Sequence, residues 1–270
     1  MESRQEWSGN SRDALPGELR DFLSRQQKIA VAFSGGLDSR FLCHAARLMN
    51  LDVLAIHITG PHVASRETEY ARQWAVGHEI AFREIRSDPL TLPEVAANGR
   101  FRCYECKKNM LKFALEAARE FGAVLCDGGN ADDLKVYRPG LRAVREAGVF
   151  SPLAAVGMTK MDICHFARET GMDWPWQKAR PCLLTRYAYG LAPDAATLGR
   201  LAETEAKLEK ILGDADFRLR LKPEAVLQID REPGEKREAI LEILVNGGFE
   251  GARIEIAERV GGYYDREAPV

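Results

Sequence analysis

Two adjacent glycines between serines separate two apolar stretches near the start of the chain. The stretch is Ser34-Gly35-Gly36-Leu37-Asp38-Ser39, and it follows the apolar run 29–33. A strand that ends in glycines and leads into a helix points bare backbone N–H groups at one spot beside the positive helix end. The stretch has no Walker A lysine, so the pattern predicts a phosphate-binding loop of another kind. Taken alone, a Gly-Gly pair is equally typical of a tight turn.

Three of the six cysteines occur where a thiol can do chemistry. Cys103 and Cys106 form a C-x-x-C pair at the start of a predicted helix, and Cys182 lies in a loop with three basic residues. Nearby cations favour the thiolate, which is both a nucleophile and a metal ligand. The C-x-x-C pair alone is compatible with a metal or cluster site, a redox dithiol or simple packing. The other cysteines are predicted to pack in the core: Cys43, Cys126 and Cys164.

Several charged side chains are candidates for binding anions or a metal ion. Arg218 and Arg220 are two apart on a predicted strand, so both point to one face and can clamp a phosphate, although a solvated strand face is the alternative. Arg138 and Arg186 are further candidates for binding anions. Asp127 follows a predicted strand and is a candidate for binding a metal ion or the nucleotide, unless its D-G-G-N stretch is only a turn.

The hydrophobic pattern predicts the elements that position these residues. In the first half, short apolar runs alternate with helical patterns, which is typical of a parallel sheet covered by helices on both faces. The predicted strands are 29–33, 53–58, 81–85 and 123–126, and the predicted helices are 39–49, 65–76 and 107–121. Thr159 and Asp162 match a capping box for one more helix.

The pattern changes after residue 190. A charged helix at 195–212 leads to strands at 217–221 and 226–229, a helix at 236–246 and a last strand at 253–257. We predict three regions: an N-terminal extension, 1–27; an α/β domain, 28–190; and a smaller α+β domain, 191–270, that completes the substrate site.

Composition sets outer bounds on the function. The chain has 270 residues, 46% hydrophobic and 29% charged, with a net charge of −2. This balance argues against broad binding to nucleic acid or anionic membranes. No apolar run approaches a membrane span, and the polar N-terminus does not match a signal peptide. Unevenly spaced cysteines fit a reducing compartment, so we expect a cytoplasmic protein.

Six motifs occur in an order that resembles LarE-type ATP-dependent sulfur transferases of the PP-loop ATP pyrophosphatase superfamily. They are RCYECK, DGGNADD, YRPG, SPL, GMTK and ARPCLLTRYAYG. The first glycine stretch resembles the PP-loop itself, and Phe217-Arg218-Leu219-Arg220 resembles the family's F-R-x-R. The likeness runs from about 29 to 190. Arg40 departs from the family's pattern, because a small residue is commoner after the PP-loop.

The resemblance implies a Rossmann-like PP-loop domain in which ATP is split between its α- and β-phosphates. The pyrophosphate end would be held, with Mg²⁺ nearby, by Ser34, Gly35, Gly36, Asp38 and Ser39. The implied acceptor is a pyridinium mononucleotide whose carboxylates are adenylated and converted to thiocarboxylates for the nickel-pincer nucleotide cofactor. Catalytic roles would fall to Asp38, Arg218, Arg220 and Cys182, and nucleotide binding would include Asp127, Arg138 and Arg186.

Two routes for the sulfur follow from the resemblance. Some members sacrifice the sulfur of the cysteine matching Cys182, whereas others hold a 4Fe-4S cluster with three cysteines, here Cys103, Cys106 and Cys182. The presence of all three favours the cluster form, with sulfide or another sulfur donor as a partner. A homo-oligomer is also implied. Two other functions stay open: a cluster-dependent tRNA thiolase and a non-catalytic adenine-nucleotide-binding module.

Overall fold

The computed structural model describes residues 12–136 and 138–264, so part of the predicted N-terminal extension lies outside the described residues. In chain order the strands are β1 (Lys28–Ala32), β2 (Asp52–Thr59), β3 (Ala81–Arg86), β4 (Val124–Asp127), β5 (Phe217–Leu221), β6 (Ala225–Ile229) and β7 (Arg253–Ile256). The helices are α1 (Gly17–Ser24), α2 (Leu37–Leu48), α3 (Ser65–Gly77), α4 (Pro93–Ala96), α5 (Arg102–Phe121), α6 (Pro139–Glu146), α7 (Pro152–Ala155), α8 (Lys160–Glu169), α9 (Ala195–Leu212) and α10 (Arg237–Asn246).

The chain divides into two compact units. The first unit takes the described residues up to Thr59 together with Arg66–Ser87 and Cys106–Arg180. The second unit takes Gly60–Ser65, Asp88–Glu105 and the described residues from Pro181 onward. Both units are therefore built from separate stretches of the chain.

The first unit contains the parallel sheet that the alternating pattern predicts. Its strand order is β3-β2-β1-β4, and each neighbouring pair is parallel. Strand β1 is buried at its centre, which fits its position between β2 and β4. The core joins strand residues to the apolar face of α2, where Phe41 and Leu42 are fully buried. This is the Rossmann-like α/β domain that the resemblance implies.

The second unit contains a smaller, mixed sheet. Its order is β5-β6-β7, with β5 antiparallel and β7 parallel to β6. Helix α9 begins at an Asp194 cap, whose side chain accepts from the Thr197 N–H, and it buries Leu198, Leu201 and Leu208. The fold class is thus a parallel α/β domain with a small additional domain, as predicted. None of the helices in the described part is long and apolar enough to cross a bilayer.

Candidate active site

The order of the parallel strands selects one edge of the first sheet as the place for a ligand. The chain places β2 and β3 on one side of β1 and then crosses to place β4 on the other side. Such a reversal leaves a crevice at the carboxyl ends of the two strands that flank it, here β1 and β4. Ala32 and Asp127 are paired in register at these ends. The residues that follow each strand therefore meet at the crevice.

The glycine loop, residues 34–39, follows β1 and opens α2. Gly36 is the N-cap of the helix. Gly35 has φ +75°, and a Cβ built on it would lie 3.1 Å from the Ala71 Cβ, so both its conformation and its surroundings require glycine. The Ser34 and Ser39 hydroxyls lie 3.3 Å apart, and the Gly36 N–H points at Ser34 Oγ across 3.3 Å. This arrangement gathers N–H and O–H donors at a helix N-terminus, as phosphate binding requires.

The end of β4 packs directly against the glycine loop. A Cβ built on Gly128 would lie 2.8 Å from the Ser39 backbone nitrogen, so no side chain fits between the two segments. The buried Asp127 carboxylate accepts hydrogen bonds from Ser151 Oγ at 2.6 Å and from the Gly129 N–H at 3.1 Å. These contacts fix the orientation of the Asp127 side chain beside the loop.

Asp38 is held by two residues that the sequence analysis did not assign to the site. Its carboxylate accepts from Asn130 Nδ2 at 3.2 Å and pairs with the Lys160 ammonium at 2.5 Å. Asn130 also caps the turn after β4, and Lys160 is the first residue of α8, whose capping box at Thr159 is as predicted. The signals were present in the DGGN and GMTK motifs, but sequence alone did not show that they meet at Asp38.

A second layer of charge surrounds these residues. The Asp132 carboxylate accepts from the Lys160 N–H at 2.9 Å, and this hydrogen bond lowers the pKa of Asp132. Burial raises the pKa of Asp133, against the opposing attraction of Arg138, which lies 2.9 Å from its carboxylate. Arg138, a predicted nucleotide-binding residue, is thus paired with a carboxylate and lies on the exposed side of this group.

The cysteine loop, residues 181–186, belongs to the second unit and is tied to a buried ion pair. Arg186 donates to Glu205 through Nε at 2.9 Å and Nη2 at 2.8 Å, and both side chains are only 6% exposed. Its Nη1 donates to the carbonyls of Pro181 at 3.1 Å and Cys182 at 3.4 Å. The Glu205 carboxylate also accepts from the Leu219 N–H at 3.0 Å. Arg186 therefore attaches the cysteine loop to α9 and β5.

Arg218 and Arg220 lie on β5 in the same unit. Arg218 pairs with Asp216 at 2.8 Å. Arg220 is buried and donates to Gln228 Oε1 at 3.0 Å, to the Thr185 carbonyl at 2.8 Å and to the carbonyl of Val260. Burial, followed by repulsion from Arg186, lowers the pKa of Arg220 to about 10.

The electrostatics of this group favour an anion. The charges of Arg186, Arg218 and Arg220 are close enough to affect one another, and burial also lowers the pKa of Arg218. Among the described contacts, these guanidinium groups pair with two carboxylates, those of Glu205 and Asp216. Positive charge held away from water in this way is stabilised by a bound phosphate or carboxylate.

Comparison with known proteins decides the family. No protein-family model matches the chain. An uncharacterized protein of Synechocystis is 32% identical over 196 residues, which cover 72% of this chain and 73% of that protein. The pyridinium-3,5-bisthiocarboxylic acid mononucleotide synthase of Lactiplantibacillus plantarum is 29% identical over 193 residues, or 68% of each chain. A probable tRNA sulfurtransferase of Methanobrevibacter smithii is 25% identical over 58% of this chain and 44% of its own.

The chain belongs to the PP-loop ATP pyrophosphatase superfamily, alongside LarE. Its similarity to sulfur-transfer enzymes of this superfamily indicates that it is an ATP-dependent sulfur-transfer enzyme. The glycine loop is the segment that resembles the PP-loop, and its Ser34, Gly35, Gly36, Asp38 and Ser39 lie together with Asp127 in the first unit. The individual roles predicted for these residues stay predictions.

The cysteines of this PP-loop enzyme fall into two groups. Cys43, Cys126 and Cys164 are buried in the core as predicted, and burial raises the pKa of each thiol, that of Cys126 to about 12. Cys103 and Cys182 are partly exposed and belong to the second unit, whereas Cys106 is buried in the first, with its Sγ 3.7 Å from Met110 Sδ.

A metal centre built from cysteines needs several ligands close together. Across 12–136 and 138–264, no three or more His, Cys, Asp or Glu side chains are grouped so that they could hold a metal ion. The three-cysteine cluster that the resemblance implies would take ligands from stretches of the chain assigned to different units, so it stays a prediction. Mg²⁺ needs fewer protein ligands, because it is commonly bound by one or two carboxylates together with substrate phosphates. Asp38 and Asp127 fit that requirement.

Proposed function

We propose that this enzyme uses ATP to adenylate carboxylates of a pyridinium mononucleotide and converts them to thiocarboxylates, a step in making the nickel-pincer nucleotide cofactor. The observation that carries the choice of acceptor is the grouping of three guanidinium groups, those of Arg186, Arg218 and Arg220, beside the cysteine loop. A mononucleotide with a phosphate and ring carboxylates is an anion that this group would stabilise. The Lactiplantibacillus relative is a pyridinium-3,5-bisthiocarboxylic acid mononucleotide synthase, which supports the same acceptor.

The proposed first step is adenylation. An acceptor carboxylate oxygen attacks the α-phosphorus of ATP, and the bond to the β-phosphate oxygen breaks to release pyrophosphate. Charge develops on the departing pyrophosphate, where the N–H and O–H donors of the glycine loop and the Lys160 ammonium would stabilise it. Mg²⁺, held by Asp38 or Asp127 and the phosphates, would neutralise further charge.

The proposed second step is transfer of sulfur. A sulfide delivered to the site would attack the carbonyl carbon of the acyl adenylate, displace AMP and give the thiocarboxylate directly. If Sγ of Cys182 attacks instead, AMP leaves and a thioester forms, and loss of the Cys182 α-proton with cleavage of its Cβ–Sγ bond then gives the thiocarboxylate and dehydroalanine. Cys182 is the proposed sulfur-bearing residue, since its loop is held by Arg186 beside the arginines proposed to bind the acceptor. As a thiolate, Cys182 would be a competent nucleophile.

A product assay tests the proposal. The protein is incubated with ATP and either pyridinium-3,5-dicarboxylic acid mononucleotide or bulk tRNA, and the nucleotides are separated. We expect AMP and pyrophosphate with the mononucleotide and no turnover with Asp38→Ala. Asp52→Ala, which removes an exposed carboxylate of the same unit, is the matched control. Formation of ADP and phosphate would contradict the proposal.

The second candidate is a tRNA thiolase, which the similarity to the tRNA sulfurtransferase favours. Such an enzyme needs a basic surface for RNA, and the net charge of −2 gives no general support for one. In the assay above, release of AMP with tRNA and none with the mononucleotide would establish this candidate instead.

The source of the sulfur is the most detailed part of the proposal. We propose the three-cysteine 4Fe-4S form because Cys103, Cys106 and Cys182 are all present. Protein purified without oxygen is then expected to be brown and to contain iron and sulfide. Alanine at any of the three positions should remove the colour, whereas Cys164→Ala should keep it. Colourless protein in which Cys182 becomes dehydroalanine after one turnover would identify the sacrificial route.

A further inference from the structure

Arg40 and Gln177 form a buried pair directly behind the glycine loop. Arg40 is fully buried and Gln177 is 4% exposed. Arg40 donates to Gln177 Oε1 through Nε at 3.2 Å and Nη2 at 3.0 Å, and Gln177 Nε2 donates to the Gly35 carbonyl at 3.2 Å. The side chain of Gln177 thus joins the arginine to the backbone of the loop.

The chemistry of the pair leaves one orientation for the amide. A guanidinium group has donors only, so Gln177 must present its oxygen to Arg40. Its NH₂ group then faces the Gly35 carbonyl. Arg40 is itself fixed, because it also donates to the carbonyls of Asp173 and Trp174, each at 3.0 Å. The donor aimed at Gly35 is therefore positioned by a rigid neighbour.

The bond to Gly35 controls the direction of the next N–H. In a planar trans peptide, the Gly35 carbonyl and the Gly36 N–H point in opposite directions. A peptide between two glycines has little steric resistance to rotation, because both residues tolerate many φ and ψ values. Rotation by half a turn would put the carbonyl oxygen where the N–H now points, toward the Ser34 hydroxyl. A carbonyl there would repel a phosphate.

We propose that Gln177, aligned by Arg40, is a positioning residue that keeps the Gly35 carbonyl out of the phosphate nest and the Gly36 N–H directed into it. The inference rests on the proposed function in one respect, since it takes pyrophosphate to be the anion of the nest. It also accounts for Arg40, a residue at which this chain departs from the family's pattern.

Gln177→Glu separates this role from simple packing. The carboxylate keeps the size of the side chain and its acceptor for Arg40, but it has no donor for Gly35 and repels that carbonyl. We expect the dissociation constant for magnesium pyrophosphate to rise about tenfold, which corresponds to about 1.4 kcal/mol. The thermal midpoint should stay at or above that of the wild type, because the new ion pair replaces a neutral contact. KM for ATP should rise more than kcat falls.

Two further variants complete the experiment. Gln177→Leu removes the donor without adding charge and should weaken pyrophosphate binding as well. Thr170→Val removes a different buried hydrogen bond to α2, the one with His44, and should leave pyrophosphate affinity unchanged. Binding is measured by calorimetry with inorganic pyrophosphate and Mg²⁺. If Gln177→Glu binds pyrophosphate like the wild type, the positioning role is refuted. If the wild type itself does not bind pyrophosphate, the proposed function is contradicted, and the positioning role, which requires this binding, is contradicted with it.

Discussion

Replacing Glu205 by glutamine removes the negative charge from the buried ion pair with Arg186 while keeping the side-chain size. Glu205 accepts two hydrogen bonds from Arg186 and one from the Leu219 N–H, and neither charged side chain is more than 6% exposed. Breaking a buried pair by removing one partner costs about 3–5 kcal/mol. Glutamine retains one acceptor oxygen, so we expect a loss of about 3 kcal/mol in the free energy of unfolding.

A urea titration followed by circular dichroism and by tryptophan fluorescence measures this loss. Far-ultraviolet circular dichroism reports on both units, whereas the tryptophans among the described residues, Trp74, Trp174 and Trp176, belong to the first unit. The Glu205→Gln variant should unfold at lower urea in the dichroism signal. Asp214→Asn, which alters an exposed pair with Arg231, should leave the midpoint unchanged. A loss below about 1 kcal/mol for Glu205→Gln would refute the reasoning, because that is the range of exposed ion pairs.

The same variant makes a prediction about pH. Burial opposes ionisation of Glu205, but attraction and hydrogen bonds from Arg186 hold its pKa below the ordinary value. A carboxylate with a depressed pKa contributes its full stability above the unfolded pKa of about 4.3 and loses that contribution as pH falls toward the folded pKa. The difference in stability between wild type and Glu205→Gln should therefore be constant near neutral pH and shrink below about pH 4.3.

Three other predictions concern the two units separately. Arg218→Ala should weaken binding of the mononucleotide about ten- to a hundredfold, the range for a charge-assisted contact, with ATP affinity unchanged in calorimetry; equal losses for both would show that Arg218 serves the nucleotide. Gly128→Ala should weaken pyrophosphate binding, since the added methyl group would lie 2.8 Å from the Ser39 nitrogen. Gly129→Ala should weaken it less, because the methyl group would meet only side-chain atoms of neighbouring residues. Wild-type pyrophosphate affinity in Gly128→Ala would contradict this. Burial lowers the pKa of His44 to about 4, so between about pH 6.5 and 4 the unfolded chain takes up a proton there and the folded chain does not. The thermal midpoint should therefore fall as the pH is lowered through that range, and it should fall less in His44→Gln. Equal pH slopes for the wild type and His44→Gln would refute this.

Periodicity predicted the regular elements because each has a clear apolar face. The predicted helix 195–212 and the strand 217–221 match α9 and β5 residue for residue. Helix α5 begins at Arg102, five residues before its predicted start, because the segment RCYECK has no apolar period that would mark it as helical. The small helices α1, α4, α6 and α7 were not predicted, since four to eight residues are too few to show a period.

Contacts between distant parts of the chain account for what the sequence could not show. The glycine loop was predicted from a local motif, but Lys160 is separated from Asp38 by 122 positions and Gln177 from Gly35 by 142. Lys160 belongs to the GMTK motif, but the motif does not show that it meets Asp38, and Gln177 lies outside the six motifs. The grouping of Gly60–Ser65 and Asp88–Glu105 with the C-terminal part is similarly invisible to a linear pattern.

The three arginines beside the cysteine loop differ in how much of their hydrogen-bonding capacity the fold already uses. Arg186 is paired in two places with Glu205 and donates to two loop carbonyls, so its charge is balanced and its main effect is to fix the loop. Arg220 donates to three acceptors, of which none carries a charge, so its positive charge has no balancing partner among these contacts. Arg218 has a carboxylate partner that is 38% exposed and therefore weakly held. An anionic acceptor would consequently gain most from Arg218 and Arg220, and Arg186 would act on the reaction through the position of Cys182.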